Sequence, residues 1–392
     1  MNYQPRTSPD DAPIIQLVSQ VLLKAHQHRA SDIHWEPLQS GLRVRFRIDG
    51  VLQEVQHFPK NLQSAIVSRL KIMTASMNIA EKRLPQDGRF QMTLDHCTID
   101  LRVSTIPTLY GESIVMRLLE RSSLLMGLAE LGLQEDHHRL VKKLLHRTDG
   151  LILVTGPTGS GKSTTLYSCL QQVHASGSKL LTAEDPIEYE MDGIMQVPIN
   201  NEIGLGFASV LRSFLRQDPD VIMIGETRDV ETAQMAMQAS LTGHLVLTTL
   251  HTNDAAGAIS RLIDMGIEPL IIAATLEAVL AQRLVRKICT QCRVPYQPEE
   301  VFLQAIDSEE EKKTFYRGQG CDVCHQTGYR GRMGLFELLI ISDLLRTLIH
   351  ERASHAVIRE KARELGMKTL REHGLQAALE GITTLEEVLK WT

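Results

Sequence analysis

The stretch from Leu151 to Thr165, LILVTGPTGSGKSTT, constrains this chain of 392 residues more than any other. Leu151–Val154 are four apolar residues in a row, the pattern of a short buried strand. Gly156-Pro157-Thr158-Gly159-Ser160-Gly161-Lys162-Ser163 then form a complete G-x-x-x-x-G-K-[ST] phosphate loop, and Thr164 leads into a helical pattern from Leu166 to Val173. Glycines at 156, 159 and 161 let the backbone curl so that its N–H groups converge on phosphate oxygens. Lys162 brings a cation to the β- and γ-phosphates, and the Ser163 hydroxyl can hold Mg²⁺. The helix N-terminus adds its dipole. Strand, loop and helix in this order predict an α/β nucleotide-binding fold.

A chain of 392 residues is expected to form two or three domains. Residues 1–12 read as a flexible tail and 13–120 as an N-terminal α+β domain, PAS-like, with an antiparallel sheet. Its helix covers Ile14–Ala25. Leu42, Val44, Phe46 and Ile48 alternate with Arg43, Arg45 and Arg47, which read as the solvated face of a strand. Asp49-Gly50 turns this strand into Val51–Val55. A helix at Leu62–Met77 and strands at Ile99–Ser104 and Ser113–Leu119 follow. Residues 121–133 read as a linker, and 134–392 as the nucleotide-binding domain. In that domain apolar strands at Leu180–Ala183, Val221–Ile224 and Leu245–Thr249 alternate with helices, the pattern of a parallel sheet covered on both faces. An insertion at about 285–335 carries paired cysteines, and 336–392 reads as helical. No apolar run reaches the roughly 18 residues of a membrane span, and the polar segment Met1–Pro13 is not a signal peptide. A cytoplasmic protein is expected. A net charge of −5, with only 4% aromatic residues, argues against nucleic acid as a partner.

Three later segments supply acids and histidines. Thr182-Ala-Glu184-Asp185-Pro-Ile-Glu188 places three acids just after an apolar strand, where they can lie beside bound phosphates or polarise a water. Asp218-Pro-Asp220-Val-Ile-Met-Ile-Gly225-Glu226 is a Walker B arrangement, with Glu226 at the C-terminal strand end, where α/β sites form. Thr242-Gly243-His244 and His251-Thr252-Asn253 bracket another buried strand; His251 is expected at the same sheet edge as Glu226, as a γ-phosphate sensor or as a satisfied core histidine. Cys289-x-x-Cys292 and Cys321-x-x-Cys324 are separated by the 28 residues 293–320 and read as a structural tetrathiolate Zn²⁺ site. Cys97 and Cys169 read as core thiols.

Phosphate loop, acidic box at 182–189, Walker B at 218–229 and histidine box at 242–252, in this order, resemble the assembly ATPases of type II secretion and type IV pili. The cysteine module resembles the assembly branch rather than the retraction branch. Ala239–His244, Asn253–Arg261 and Leu284–Cys289 resemble type II secretion more than pilus assembly. The resemblance implies a RecA-like ATPase domain and a homo-hexameric ring that hydrolyses ATP with Mg²⁺. Such a ring is peripheral to the inner membrane and acts on a membrane platform protein to build a pseudopilus or pilus. It implies that Lys162 and Ser163 bind phosphate and Mg²⁺, that Glu184 and Asp185 support the nucleotide site, and that Glu188 activates water. It also implies that Glu226 lies near the metal and that His244 and His251 form the histidine pair. Arg102 and Arg117 match positions that reach the phosphates; Arg89 is a weaker candidate. Longer members carry further N-terminal domains, and this chain begins almost at the arginine-bearing one. A nucleic-acid translocase is the alternative of another class.

Overall fold

The computed structural model describes residues 12–94, 97–120, 126–174, 177–306 and 313–392. Residues 1–11 of the tail expected at 1–12, the first part of the linker and the Cys97 side chain lie outside these, and Ala12 opens the first helix. The chain divides into two compact units, Met1–Leu124 and Leu125–Thr392.

The first unit runs α1 (Ala12–Gln27), β1 (Asp32–Leu38), β2 (Gly41–Ile48), β3 (Val51–Pro59), α2 (Lys60–Thr74), β4 (Gln86–Leu94), β5 (Cys97–Thr108) and β6 (Gly111–Glu120). The six strands form one antiparallel sheet in the order β3-β2-β1-β6-β5-β4. Period-2 alternation sorts its faces. Val44 and Phe46 of β2, Leu101 and Val103 of β5, and Ile114 and Met116 of β6 are buried with Leu22 of α1 and Ile66 and Leu70 of α2. The register sets Arg89 opposite Arg102, and Arg102 opposite Arg117. Arg117 in turn pairs with Asp32, and Asp32 with Arg47. Strands β1 and β4 were not expected. DIHWEPL contains a proline and two acids, so its alternation is masked, although it becomes a central strand.

The second unit runs α3 (Glu135–Leu145), β7 (Gly150–Thr155), α4 (Lys162–His174), β8 (Leu180–Glu184), β9 (Met195–Pro198), α5 (Phe207–Phe214), β10 (Val221–Ile224), α6 (Val230–Leu241), β11 (Leu245–Leu250), α7 (Ala255–Asp264), α8 (Pro269–Thr275) and β12 (Leu276–Ile288). It continues through β13 (Arg293–Tyr296), α9 (Glu300–Leu303), β14 (Phe315–Gly318), β15 (Tyr329–Ile340), α10 (Asp343–His350), α11 (His355–Glu364), α12 (Leu370–Leu379) and α13 (Leu385–Trp391). The main sheet is ordered β15-β12-β7-β11-β10-β8-β9. Only the β12–β15 pair is antiparallel. Continuous apolar strands arise because both faces are covered. Leu151 and Leu153 of β7 pack into the layer that holds α5, α6 and α7, while Ile152 and Val154 pack into the layer of α3 and α4.

Two boundaries differ from expectation. Leu128 and Leu133, in the segment read as linker, are buried in the second unit's core. The insertion is narrower than about 285–335, because β12 and β15 at its ends are strands of the main sheet. Of the segment 336–392 read as helical, 336–340 complete β15, and four helices follow. Each starts at a hydroxyl cap: Ser342, Ser354, Thr369 and Thr384 accept from the backbone N–H three residues on.

Candidate functional site

The parallel strands place the phosphate loop, the acids and the second histidine at one sheet edge. β7 ends at Thr155, β10 at Ile224 and β11 at Leu250, so the loops beyond them emerge together. Open α/β sheets build their sites at these carboxyl ends. Gly156, Gly159 and Gly161 take φ of 153°, 80° and 88°, values that favour glycine. A Cβ on Gly156 would fall 2.5 Å from the Gln282 carbonyl. Lys162 Nζ donates to the carbonyls of Gly156 (2.8 Å) and Pro157 (3.1 Å), so its cation lies across its own loop. Burial pulls its ammonium down to about 8; the neighbouring Glu226 carboxylate works in the opposite direction. Ser163 follows at the first turn of α4 and is exposed.

Glu226 lies beyond β10. Its carboxylate receives Arg228 Nη2 at 2.5 Å, and His251 Nε2 lies 3.7 Å from its second oxygen. Burial first, then the Lys162 charge, lower the pKa of His251, so it is neutral at pH 7. Of the two open readings, the structure places His251 beside the acid at the site edge, not in the core. Its loop is tied to the phosphate loop: Thr155 Oγ1 donates to the Leu250 carbonyl at 3.1 Å and receives the Thr252 N–H at 3.0 Å. His244 is not brought to this edge. It precedes β11 and its Nδ1 lies 2.9 Å from the Ala239 carbonyl, at the far end of a strand of six residues, roughly 20 Å from His251 at about 3.3 Å per residue.

The acidic box divides. Glu184 was expected to support the nucleotide, but it is buried and fully committed to its neighbours. It accepts Tyr167 Oη–H, Thr182 Oγ1–H (2.5 Å) and Gln196 Nε2–H (3.0 Å). Thr182 and Glu184 share the strand face toward α4, which turns the carboxylate to Tyr167. Asp185 is exposed and Glu188 half-buried in that loop. The Glu188 N–H donates to Tyr167 Oη at 3.2 Å.

Sequence reading missed Gln282. It is 2% exposed on β12, its Nε2 donates to the Ser160 carbonyl at 2.6 Å, and its Oε1 accepts from Thr165 Oγ1 at 2.7 Å. One amide therefore clamps the phosphate loop and the helix behind it. The available signal was a glutamine inside the apolar run LEAVLAQRLV, where a buried polar group needs partners.

The four cysteines come together as expected from their spacing. Their sulfurs all lie within 4.8 Å of one another. Cys289–Cys321, Cys292–Cys324 and Cys321–Cys324 are 3.8, 3.9 and 3.7 Å apart. Four thiolates about 2.3 Å from one tetrahedral Zn²⁺ stand about 3.8 Å apart, so this donor set fits zinc. The Cys321 and Gly328 N–H groups donate to Cys324 Sγ at 3.2 and 3.3 Å, which favours the thiolate. Cys169 is a buried core thiol on α4.

In the first unit Arg43 and Arg45 both donate from Nε to Glu36, at 3.0 and 2.9 Å, so their charge is met locally. Arg89, Arg102 and Arg117 stand side by side across three strands, and Arg117 Nε donates to Asp32 at 3.1 Å. Like charges directly opposite one another destabilise a sheet. Such a row is suited to a polyanion.

A phosphate loop at the centre of a parallel sheet, with an acid and a histidine at the same edge, defines a RecA-like phosphate-loop ATPase. The enzyme is an ATP hydrolase. The chain belongs to the Type II/IV secretion system protein family, whose model matches residues 7–390. It is 51% identical over 390 residues to the type II secretion system protein E of Dickeya dadantii, covering 98% of this chain and 76% of that one. It is 49% identical to the type IV pilus assembly ATPase PilB of Myxococcus xanthus, covering 97% of this chain and 68% of that one. The solved pilus retraction motor PilT with bound ADP superposes with a TM-score of 0.65 at 28% identity, over 95% of this chain and 96% of that one. Among the described residues no helix is long and apolar enough to cross a membrane.

Proposed function

We propose that this chain is the motor ATPase of a type II secretion machine, which couples ATP hydrolysis in a homo-hexameric ring to assembly of a pseudopilus on an inner-membrane platform protein. The observation that carries the reading is the convergence of Lys162, Glu226 and His251 on one sheet edge, joined to near-full-length identity with a type II secretion protein E. In this reading Lys162 and the loop N–H groups bind the triphosphate. Ser163 and Glu226 supply hard oxygen ligands for Mg²⁺, which neutralises phosphate charge when bound. Glu188 takes the proton of the attacking water, and His251, neutral, contacts the γ-phosphate. Arg102 and Arg117, with Arg89 beside them, supply cations to the phosphates; an arginine of this kind contributes on the order of 10³–10⁵ in rate in other NTPases. His244 has no part at this edge. The cysteine cluster holds a structural Zn²⁺ with a closed shell of four thiolates.

The similarity to a pilus assembly ATPase supports a second reading, in which the same motor builds a pilus. Pull-down with the platform proteins of the two machines separates these. The motor reading is tested by ATPase rate against protein concentration, with oligomer mass followed in parallel, for wild type and Arg102→Ala/Arg117→Ala. A specific rate that rises as hexamers form and falls at least 100-fold in the double variant is expected. A flat rate from a monomer, indifferent to the arginines, would refute it.

A further inference from the structure

Tyr167 lies on α4, five positions after Lys162, and is 2% exposed. Its hydroxyl has one proton to give and lone pairs to receive with. The proton goes to Glu184 Oε2, and the oxygen receives the Glu188 N–H at 3.2 Å. The second Glu184 oxygen is held by Thr182 and Gln196, so the carboxylate cannot swing away and the Tyr167 proton has a fixed target. That direction turns a phenol lone pair to residue 188.

The rest of the loop is tied by the same group of side chains. Gln196 Nε2 also donates to the Tyr189 carbonyl at 3.1 Å, and Gln196 Oε1 accepts the Met191 N–H at 2.7 Å. The Tyr189 ring packs against the Tyr167 ring at a tilt of 41°, with centroids 4.2 Å apart. Residues 188, 189 and 191 are thus each anchored, either to the helix that begins with Lys162 or to β9. Burial keeps Tyr189 protonated, its pKa pushed up to about 12, and holds that of Tyr167 well above the ordinary tyrosine range, so both phenols stay neutral.

We infer that Tyr167, with Glu184 and Gln196, is a positioning device that holds Glu188 in register with the phosphate-loop helix. This rests on the reading of Glu188 as the group that activates water. Glu184 then serves the reaction at one remove, as the fixed acceptor that orients the Tyr167 hydroxyl. A displacement of about 1 Å at such a group lowers rate by up to about 100-fold without touching substrate binding.

The test is steady-state ATP hydrolysis and binding of a fluorescent ATP analogue by the full chain, for Tyr167→Phe, Glu188→Gln and the double variant. Tyr167→Phe keeps the ring and removes only the hydroxyl. Its kcat is expected to fall about 10–100-fold while KM and analogue affinity stay within about twofold. The double variant is expected to be no slower than Glu188→Gln, because both changes remove one function. Wild-type kcat in Tyr167→Phe, an equal loss in KM, or losses that multiply in the double variant would overturn the inference. If Glu188→Gln abolishes turnover while Tyr167→Phe retains it, only the positioning role falls; if Glu188→Gln turns over normally, the base assignment falls and takes this inference with it. Should Tyr167→Phe not fold, Gln196→Met on the edge strand gives the same comparison. It is expected to lower kcat several-fold at unchanged KM, and an unchanged kcat would overturn the inference.

Discussion

Replacing Gln282 by Met isolates the clamp on the phosphate loop. Methionine matches glutamine in length and leaves no cavity, so the change removes two hydrogen bonds and little else. Both are short, 2.6 Å to the Ser160 carbonyl and 2.7 Å from Thr165 Oγ1, and Ser160, Thr165 and Gln282 are all buried. Each neutral bond contributes about 0.5–1.5 kcal/mol, so the pair holds the loop by about 1–3 kcal/mol. If that free energy keeps the loop in its binding-competent form, apparent affinity for ATP falls in proportion to the competent fraction, by roughly 5–150-fold. The assay is titration of a fluorescent ATP analogue, with thermal melting of the same samples. Gln282→Glu sharpens it: Oε1 still accepts from Thr165, but the oxygen that replaces Nε2 faces the Ser160 carbonyl without a proton, and the loss is expected to be larger. An affinity within twofold of wild type in both variants, with melting unchanged, would refute the clamp argument.

Further outcomes follow from Lys162 and from the cysteine cluster. Lys162 carries its proton below about 8 and loses it above. ATP affinity is therefore expected to be flat below that pH and to weaken up to tenfold per pH unit above it, in a titration series where Lys162→Ala gives a flat curve. For folding the sign is the reverse. A lysine lowered from 10.5 to about 8 is penalised while charged, so its contribution to stability rises with pH between those values. Stripping the metal from the cysteine cluster is expected to release one Zn²⁺ per chain, read with a chromogenic chelator, and to lower the melting temperature. ATP affinity should stay within about twofold, because Thr383 Oγ1 to the Arg286 carbonyl and the Arg286–Glu387 ion pair pin β12 between Gln282 and Cys289.

Much of the site was legible because its chemistry depends on local spacing. A phosphate loop needs glycines at fixed offsets between a strand and a helix, and LILVTGPTGSGKSTT states all of it within fifteen residues. C-x-x-C knuckles bring two thiolates to one metal by local geometry. The linker was misread because Leu128 and Leu133 are too few to show a period, although each finds a buried place in the second core. β1 was missed because a central strand with Pro37 and Glu36 is accommodated by its neighbours, not announced by its alternation.

The sequence by itself determined the substrate class, the ligand set of the cysteine cluster and the strand–loop–helix order around the phosphate loop, since each rests on residues close in sequence. Only the tertiary structure decided which side chains share the site. Parallel pairing carries His251 to Glu226 and leaves His244 at the opposite end of the same strand. Cross-strand register lines up Arg89, Arg102 and Arg117 from separate strands. Strand-face alternation turns Glu184 toward Tyr167, and the β12–β7 pairing brings Gln282 to the loop from more than a hundred residues away. Side-chain direction and long-range register are set by how sheets close and pack, and no short window of sequence contains them.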